Sequence, residues 1–223
     1  MSAIVIANAL SAALVTEIRA TIASGPFIAG RATAVGGAVA IKDNVLLVPD
    51  SPCGARAADL LTAALQAHTG FQTAVWPEAM LRPQFCRYEI GMGYGEHVDA
   101  ALMGEPGSEM IRCDVAMTVC LNDGNDYDGG ELIIDAAGVP AAWKGSAGDV
   151  LVYPANTLHR VAKVTRGVRI VAVSWIQSMV RDPGRRRILH DLRAVLDELD
   201  ASPTSAASET LRRSYFNLLR MWA

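Results

Sequence analysis

The sequence predicts an α+β fold that is mainly β, with an antiparallel β-sandwich or barrel in the middle of the chain and helices on both sides of it. Two observations lead to this expectation. Between residues 84 and 177, short β-type runs alternate with clusters of Gly, Asp and Asn, which is typical of strands joined by turns. Before and after this region, apolar residues recur at helical spacing. No helical pattern separates the strand-like runs, so βαβ units are not expected.

The composition favours one domain with helical additions. The chain has 223 residues, of which 51% are hydrophobic, and this is enough apolar material for a sizeable core. Its formal net charge is -3, which does not favour a nucleic-acid partner. The four cysteines have no close C-x-x-C spacing, so neither a zinc or redox motif nor a disulfide framework is expected.

The first third of the chain, residues 1–83, is predicted to be a support region of helices and strands. A short strand at residues 4–7 precedes a helix over 11–24 that Ser11 caps. Residues 28–49 are rich in Gly, Ala and Val and indicate short strands or an open loop. A second helix is predicted from Ala55 to His68, with Gly70 closing it.

The apolar beginning of the chain does not have the pattern of a signal peptide. No Lys or Arg precedes Arg19, and Asn8 and Ser11 interrupt the apolar run. No stretch reaches the ~18–20 continuous apolar residues of a membrane span. We therefore expect a cytoplasmic protein with no membrane partner.

The middle region, residues 84–180, is predicted to be the β core. Residues 122–130 read as a hairpin connection at the rim of a site, and their acidic residues do not have the spacing of a calcium-binding EF-hand. The β-type runs lie at residues 84–90, 96–100, 113–121, 131–135, 149–153, 159–164 and 168–177.

The last region, residues 181–223, is predicted to be a helical extension. Helices are expected over 185–199 and 209–222, separated by a polar break at 201–208. Their apolar stripes allow two arrangements, packing on the β core or pairing with another copy in a homo-oligomer. The basic run 181–187 has two interpretations as well, a solvated helix start or a patch for an anionic partner.

Two of the four histidines stand in a pattern that is typical of a metal site. His97 and Asp99 form an H-x-D, and on a strand the side chains of residues i and i+2 share a face. His159 lies 62 residues later and could reach them if the two strands are neighbours. Two imidazoles and one carboxylate are the set that non-haem Fe(II) favours, and they leave positions open for O2 chemistry. A structural zinc site would instead be closed by four protein ligands.

Two further residues suggest a site for a carboxylate. Arg169 follows His159 by ten residues, and a hairpin between them would place the two strands side by side. Arg169 shares a face with apolar residues and so needs an anion, either a ligand such as a dicarboxylate bound to the metal or an Asp or Glu in a structural salt bridge. Tyr88 is either a second ligand for that carboxylate or a plain core tyrosine.

Several segments together resemble the PKHD-type hydroxylases, which are bacterial relatives of the prolyl 4-hydroxylase catalytic domain. The resemblance covers almost the whole chain. The segments that carry it are HVD at 97–99, DGGEL at 128–132, GDVLVYP at 148–154, His159 and GVRIVAVSWIQSMVRD at 167–182.

The resemblance implies a double-stranded β-helix, or jelly roll, flanked by helices. It also implies that the protein hydroxylates a substrate with Fe(II), 2-oxoglutarate and O2, releases succinate and CO2, and is supported by ascorbate. His97, Asp99 and His159 would be the iron ligands and the catalytic centre. Arg169 would anchor 2-oxoglutarate and Tyr88 would assist it. The substrate, a small molecule or a peptide, is not indicated.

Three other functions compete with this interpretation, and the sequence favours them less. A nucleic-acid demethylase of the same iron class typically has a second arginine six residues beyond the first, where this chain has Trp175. A non-catalytic jelly-roll module that binds a metal or ligand would lack coupled binding of iron and 2-oxoglutarate. A scaffold role would depend on the C-terminal helices.

Overall fold

The computed structural model describes residues 3–33, 36–104, 110–136, 138–200 and 206–223. The predicted polar break at 201–208 therefore lies mostly outside the described residues. The α-helices are α1 (Ala12–Ala23), α2 (Ala38–Ile41), α3 (Pro52–Ala67), α4 (Thr69–Val75), α5 (Pro183–Asp200) and α6 (Ala206–Trp222). The strands are β1 (Ile4–Ile6), β2 (Phe27–Ala29), β3 (Lys42–Asp43), β4 (Val45–Leu47), β5 (Pro77–Met80), β6 (Gln84–Tyr88), β7 (Gly93–His97), β8 (Leu102–Met103), β9 (Ile111–Arg112), β10 (Val115–Cys120), β11 (Asp128–Gly129), β12 (Leu132–Ala136), β13 (Val139–Trp143), β14 (Val150–Pro154), β15 (His159–Val161), β16 (Val164–Arg166) and β17 (Arg169–Ser178).

Two antiparallel sheets form the centre of the molecule, as the alternation of β-type runs and turns predicted. The larger sheet has the strand order β1-β14-β10-β17-β6-β4-β2, with β5 also paired to β17. The smaller sheet has the order β13-β12-β15-β7-β3. Buried side chains of both sheets, such as Leu132 and Val161 from the smaller and Leu151 and Val171 from the larger, pack in one cluster. The two sheets therefore face each other.

The helices before the β region cover the outer face of the larger sheet. Ile18 of α1 and Leu61 of α3 pack with Met117 and Ile176 of the sheet. Because neighbouring side chains on a strand point to opposite faces, β17 places Val171 between the sheets and Ala172 against the helices. Because the helices cover one face of the larger sheet, every second side chain of its strands points to the other face, toward the smaller sheet.

Helix α3 ends at Ala67, close to the predicted end at His68, but a second helix that the sequence did not indicate follows it. The His68 Nδ1 atom accepts a hydrogen bond of 3.0 Å from the Phe71 N–H and caps a new helix, α4. Gly70 therefore lies inside α4 and does not close α3. Helix α4 is followed by Trp76 as its C-cap, which has a left-handed φ of 47°.

The predicted hairpin between the histidine strand and the arginine strand is wrong. His159 begins β15 in the smaller sheet, whereas Arg169 begins β17 in the larger sheet, and β16 between them pairs with β11. Residues 122–130 also do not form a hairpin, because they connect β10 of the larger sheet to β12 of the smaller. Both segments cross the roughly 10 Å between packed sheets instead of turning within one sheet.

The two C-terminal helices pack against each other and against the end of α4. Leu189 and Leu196 of α5 are buried with Tyr215 of α6, and Trp76 packs on them. The predicted apolar stripe of α5 is only partly correct, because Ile188 and Leu199 on it are exposed. In the part of the chain that the structure describes, none of the helices combines the length and apolar character needed to cross a membrane.

Candidate active site

The three predicted metal ligands lie together between the sheets. His97 ends β7 and His159 begins β15, and the two residues are directly opposite each other in the antiparallel pair. One ligand atom from each of His97, Asp99 and His159 lies within 4.8 Å of the others. The pairing of β7 with β15 therefore brings together two histidines that are 62 residues apart in the sequence.

The position of Asp99 differs from the prediction in one respect. Strand β7 ends at His97, so Asp99 lies in the loop that follows and not on a strand over 96–100. This loop turns the carboxylate back toward the imidazoles. The Asp99 Oδ1 atom is 3.9 Å from the Nε2 atom of His97 and 3.9 Å from that of His159.

Backbone carbonyl groups orient both imidazoles. The His97 Nδ1 atom is 2.8 Å from the carbonyl oxygen of Gly95, and the His159 Nδ1 atom is 2.9 Å from that of Thr157. Each Nδ1–H donates to the carbonyl of the residue two positions earlier, which leaves the Nε2 lone pair directed at the centre of the triad. The Tyr94 ring also stacks on the His97 ring, with centroids 3.7 Å apart and planes 18° apart.

The donor set fits a divalent cation. The Oδ2 atom of Asp99 is buried and has no hydrogen-bond partner, an arrangement that a bound cation would relieve. Burial lowers the pKa of His97, so this imidazole is held in the neutral form that a metal requires. Within the described ranges no cysteine joins this group, and three N and O ligands leave room for further ligands, unlike a closed zinc site.

Arg169 lies across the cavity from the triad, at the start of β17 in the larger sheet. Only 3% of it is exposed, and its guanidinium carbon is 5.0 Å from the centre of the Tyr88 ring on the neighbouring strand. Among the residues that the structure describes, no carboxylate forms an ion pair with Arg169. The arrangement does not support a structural salt bridge and leaves a buried positive charge beside the cavity.

The cavity between the triad and Arg169 has a volume of about 590 Å³, which is in the range of pockets for small molecules. Tyr88 lines it, and burial raises the pKa of this tyrosine, so its hydroxyl is neutral and able to donate. Several apolar side chains also line the cavity. They include Leu81, Leu102, Met103, Met110 and Trp175.

Sequence reasoning missed several polar residues of this cavity, and Lys42 and Asn44 are two of them. They lie on β3 and just after it, within the segment that was predicted only as short strands or an open loop. Neither belongs to a motif, and the segment has no periodicity that would assign a face to it. The signal that could have found them is the alternation of Lys42, Asn44 and Leu46 along an extended segment.

Two charged segments singled out in the sequence take structural roles. No residue of 122–130 lines the cavity, so the prediction that this loop forms its rim is not supported. Asp128 of this loop pairs with Arg166 at 2.7 Å. In the basic run, Arg186 is buried and donates hydrogen bonds to the carbonyl oxygens of Val180 and Arg181. At least this arginine is not part of a solvated patch.

Comparison with known proteins agrees with this geometry. Residues 83–177 match the family described as the 2OG-Fe(II) oxygenase superfamily. Among solved structures, a prolyl-4-hydroxylase of Pseudomonas putida aligns with a TM-score of 0.53 at 21% identity, covering 79% of this chain and 92% of that one. A prolyl hydroxylase of Trichoplax adhaerens, in complex with a peptide fragment of the oxygen degradation domain of hypoxia inducible factor, aligns with a TM-score of 0.58 at 17% identity, covering 84% and 86% of the two chains. These structures share the fold.

Closer relatives are found among bacterial proteins named PKHD-type hydroxylase. The relative from Hyphomonas neptunium is 44% identical over 209 residues, which is 92% of each chain. The relative from Paraburkholderia phymatum is 41% identical over 222 residues, covering 98% of this chain and 97% of that one. The chain therefore belongs to the PKHD-type hydroxylases, and it is an oxidoreductase of the 2OG-Fe(II) oxygenase superfamily.

Proposed function

We propose that the protein hydroxylates its substrate with an iron held by His97, Asp99 and His159 and with 2-oxoglutarate held by Arg169 and Tyr88. The observation that supports this proposal is that the triad and Arg169 line the same cavity, and that Arg169 is buried without a carboxylate partner among the described residues. The sequence and the family support a jelly-roll arrangement of the two facing sheets. The same proposal divides the chain into a support region at residues 1–83, the oxygenase core at 84–180 and a helical extension at 181–223.

The chain's own residues have distinct roles in this proposal. The two histidines present neutral Nε2 atoms, and Asp99 supplies the negative charge that offsets part of the charge of the cation. Arg169 pairs with the far carboxylate of 2-oxoglutarate through its planar guanidinium, and the Tyr88 hydroxyl donates a hydrogen bond to the same carboxylate. When bound, the iron and 2-oxoglutarate supply the oxidising chemistry with O2, and succinate and CO2 are the by-products.

The walls of the cavity support the remaining roles. Leu102, Met103 and Trp175 are apolar residues of the cavity wall and would help to exclude water once a substrate is bound. The substrate itself is left open, as a small molecule or a peptide. Ascorbate as a supporting reductant, a cytoplasmic location and a homo-oligomer through the C-terminal helices remain part of the proposal. Ile188 and Leu199 are among the exposed apolar residues of the C-terminal helices that such an oligomer could use.

The proposal is tested by binding and by turnover. Anaerobic protein is loaded with Fe(II) and 2-oxoglutarate, exposed to O2 with ascorbate, and assayed for succinate. We expect slow succinate formation without added substrate, which His97→Ala abolishes. His190→Ala is the matched control, because His190 is a partly buried histidine on α5 and does not line the cavity. If the wild-type protein neither binds 2-oxoglutarate nor forms succinate, it is a non-catalytic binding module.

A further inference from the structure

Asn44 is a buried polar residue of the cavity that the proposed function does not use. It lies between β3 and β4, lines the cavity and is only 3% exposed. Neither its amide nitrogen nor its amide oxygen makes a hydrogen bond of normal geometry. An amide that is buried without partners is costly, so its retention at this place needs a reason.

The strand register places Asn44 in a row with the two residues proposed to bind 2-oxoglutarate. In the antiparallel pair of β4 and β6, Val45 lies opposite Arg87. One step further along the same register, Asn44 comes next to Tyr88, and Tyr88 is itself opposite Arg169 on β17. Neighbours across strands lie on the same face of a sheet. Asn44, Tyr88 and Arg169 therefore form a row along the cavity wall.

The surroundings of Asn44 also fix the direction of its amide. A Cβ atom added to Gly30 would lie 1.7 Å from Asn44 Oδ1, so the amide oxygen rests directly against this glycine. The amide nitrogen then points away from Gly30. Burial raises the pKa of Tyr88, and the nearby Asn44 amide lowers it in part. The same amide also lowers the pKa of the buried Cys86 thiol, so it lies close to both groups.

We propose that Asn44 is a positioning residue for 2-oxoglutarate: when the ligand is bound, the Asn44 Nδ2–H donates a hydrogen bond to the hydroxyl oxygen of Tyr88. A tyrosine hydroxyl rotates and carries only one proton. When Asn44 donates to the Tyr88 hydroxyl oxygen, the Tyr88 O–H is left to donate its hydrogen bond to the carboxylate that Arg169 binds. The inference rests on the proposed function. It adds a residue outside the segment 83–177 that matches the superfamily.

The test measures the Kd of 2-oxoglutarate for Mn(II)-loaded protein under argon by titration calorimetry. Asn44→Leu keeps the branched shape of the side chain and removes its donor. We expect Asn44→Leu and Tyr88→Phe each to raise Kd by about five- to tenfold, as the loss of one hydrogen bond would. The double variant should bind no more weakly than Tyr88→Phe alone, because Asn44 acts only through the hydroxyl.

Controls separate this role from a loss of structure. Ser51→Ala removes another buried polar side chain, which caps α3 and does not line the cavity, and it should leave Kd unchanged. Thermal unfolding and Mn(II) affinity are measured for each variant. If Asn44→Leu does not fold, Asn44→Asp replaces it, since a carboxylate cannot donate and should also raise Kd.

Two results would overturn the proposal. One is an unchanged Kd in Tyr88→Phe or in the folded Asn44 variant. The other is additive losses in the double variant, which would mean that Asn44 acts independently of Tyr88. Arg169→Met distinguishes these failures from a failure of the proposed function. If Arg169→Met also leaves Kd unchanged, the 2-oxoglutarate site itself is misassigned.

Discussion

Replacing Arg169 by Met should separate its role as a ligand anchor from a structural role. A buried arginine in a salt bridge stabilises its partner, and removing one member of such a pair costs about 3–5 kcal/mol. Arg169 has no carboxylate partner among the described residues, and its contacts include the face of the Tyr88 ring and the Tyr127 hydroxyl. Met keeps most of the apolar volume and removes the charge. The lost cation–π contact, roughly 1–2 kcal/mol, is offset by removing a charge that is expensive to bury.

We therefore expect the ligand-free variant to unfold with a free energy within about 1 kcal/mol of the wild type. For a chain of this size that is a change in Tm of at most about 4 °C, whereas a broken salt bridge would lower Tm by about 6–20 °C. The measurement is thermal unfolding of the Mn(II)-loaded protein, with and without 2-oxoglutarate.

Stabilisation by 2-oxoglutarate should distinguish the wild type from Arg169→Met. At a 2-oxoglutarate concentration 100 times its Kd, the wild type gains about 2.7 kcal/mol. Loss of a buried charge pair with the ligand, at least about 2 kcal/mol, raises Kd about 30-fold. The same concentration then stabilises Arg169→Met by only about 0.9 kcal/mol. A large fall in Tm without ligand, or full stabilisation by 2-oxoglutarate, would refute the reasoning.

Two further predictions concern the frame of the site. Gly129→Ala should destabilise the protein by about 2–3 kcal/mol in urea unfolding, because Gly129 has φ +68° and an added Cβ would lie 2.0 Å from the Lys163 carbonyl oxygen. The control is Gly138→Ala, which should cost only about 1 kcal/mol because Gly138 has φ +85° but open space around it. Equal losses in the two variants would contradict the argument. The Arg166 guanidinium lowers the pKa of Asp128, so the stability that Asp128 contributes should be present above about pH 4 and disappear as the pH falls through the lowered pKa. Unfolding of the wild type and of Asp128→Asn should therefore converge in acid, and a constant difference down to pH 2 would contradict this.

The parts of the site that could be predicted are those that local sequence determines. His97 and Asp99 are two residues apart, and both β14 and β15 follow a turn that the sequence marks clearly. A strand pattern, however, does not specify its partner strand. The hairpin predicted between His159 and Arg169 failed for this reason, because pairing depends on contacts that are distant in sequence.

Asn44 illustrates a second limit. It lies in a segment of very short strands, where neither a strand period nor a helix period extends far enough to be recognised. Its place beside Tyr88 depends on the pairing of β4 with β6, which the sequence does not reveal. The double role of His68 was missed for a similar reason. A histidine that both ends α3 and caps α4 has no sequence signature, and Gly70 indicated a helix end more strongly.

The carbonyl groups of Gly95 and Thr157 hold the two imidazoles in place through the polypeptide alone. Small zinc domains need their ion in order to fold, but here the ligands are already oriented by β7 and β15 in a large hydrophobic frame. The protein should therefore outlast the loss of its metal. If the proposed iron site is correct, a cell short of iron would keep the folded apoprotein, and returning iron would restore the site without new protein synthesis.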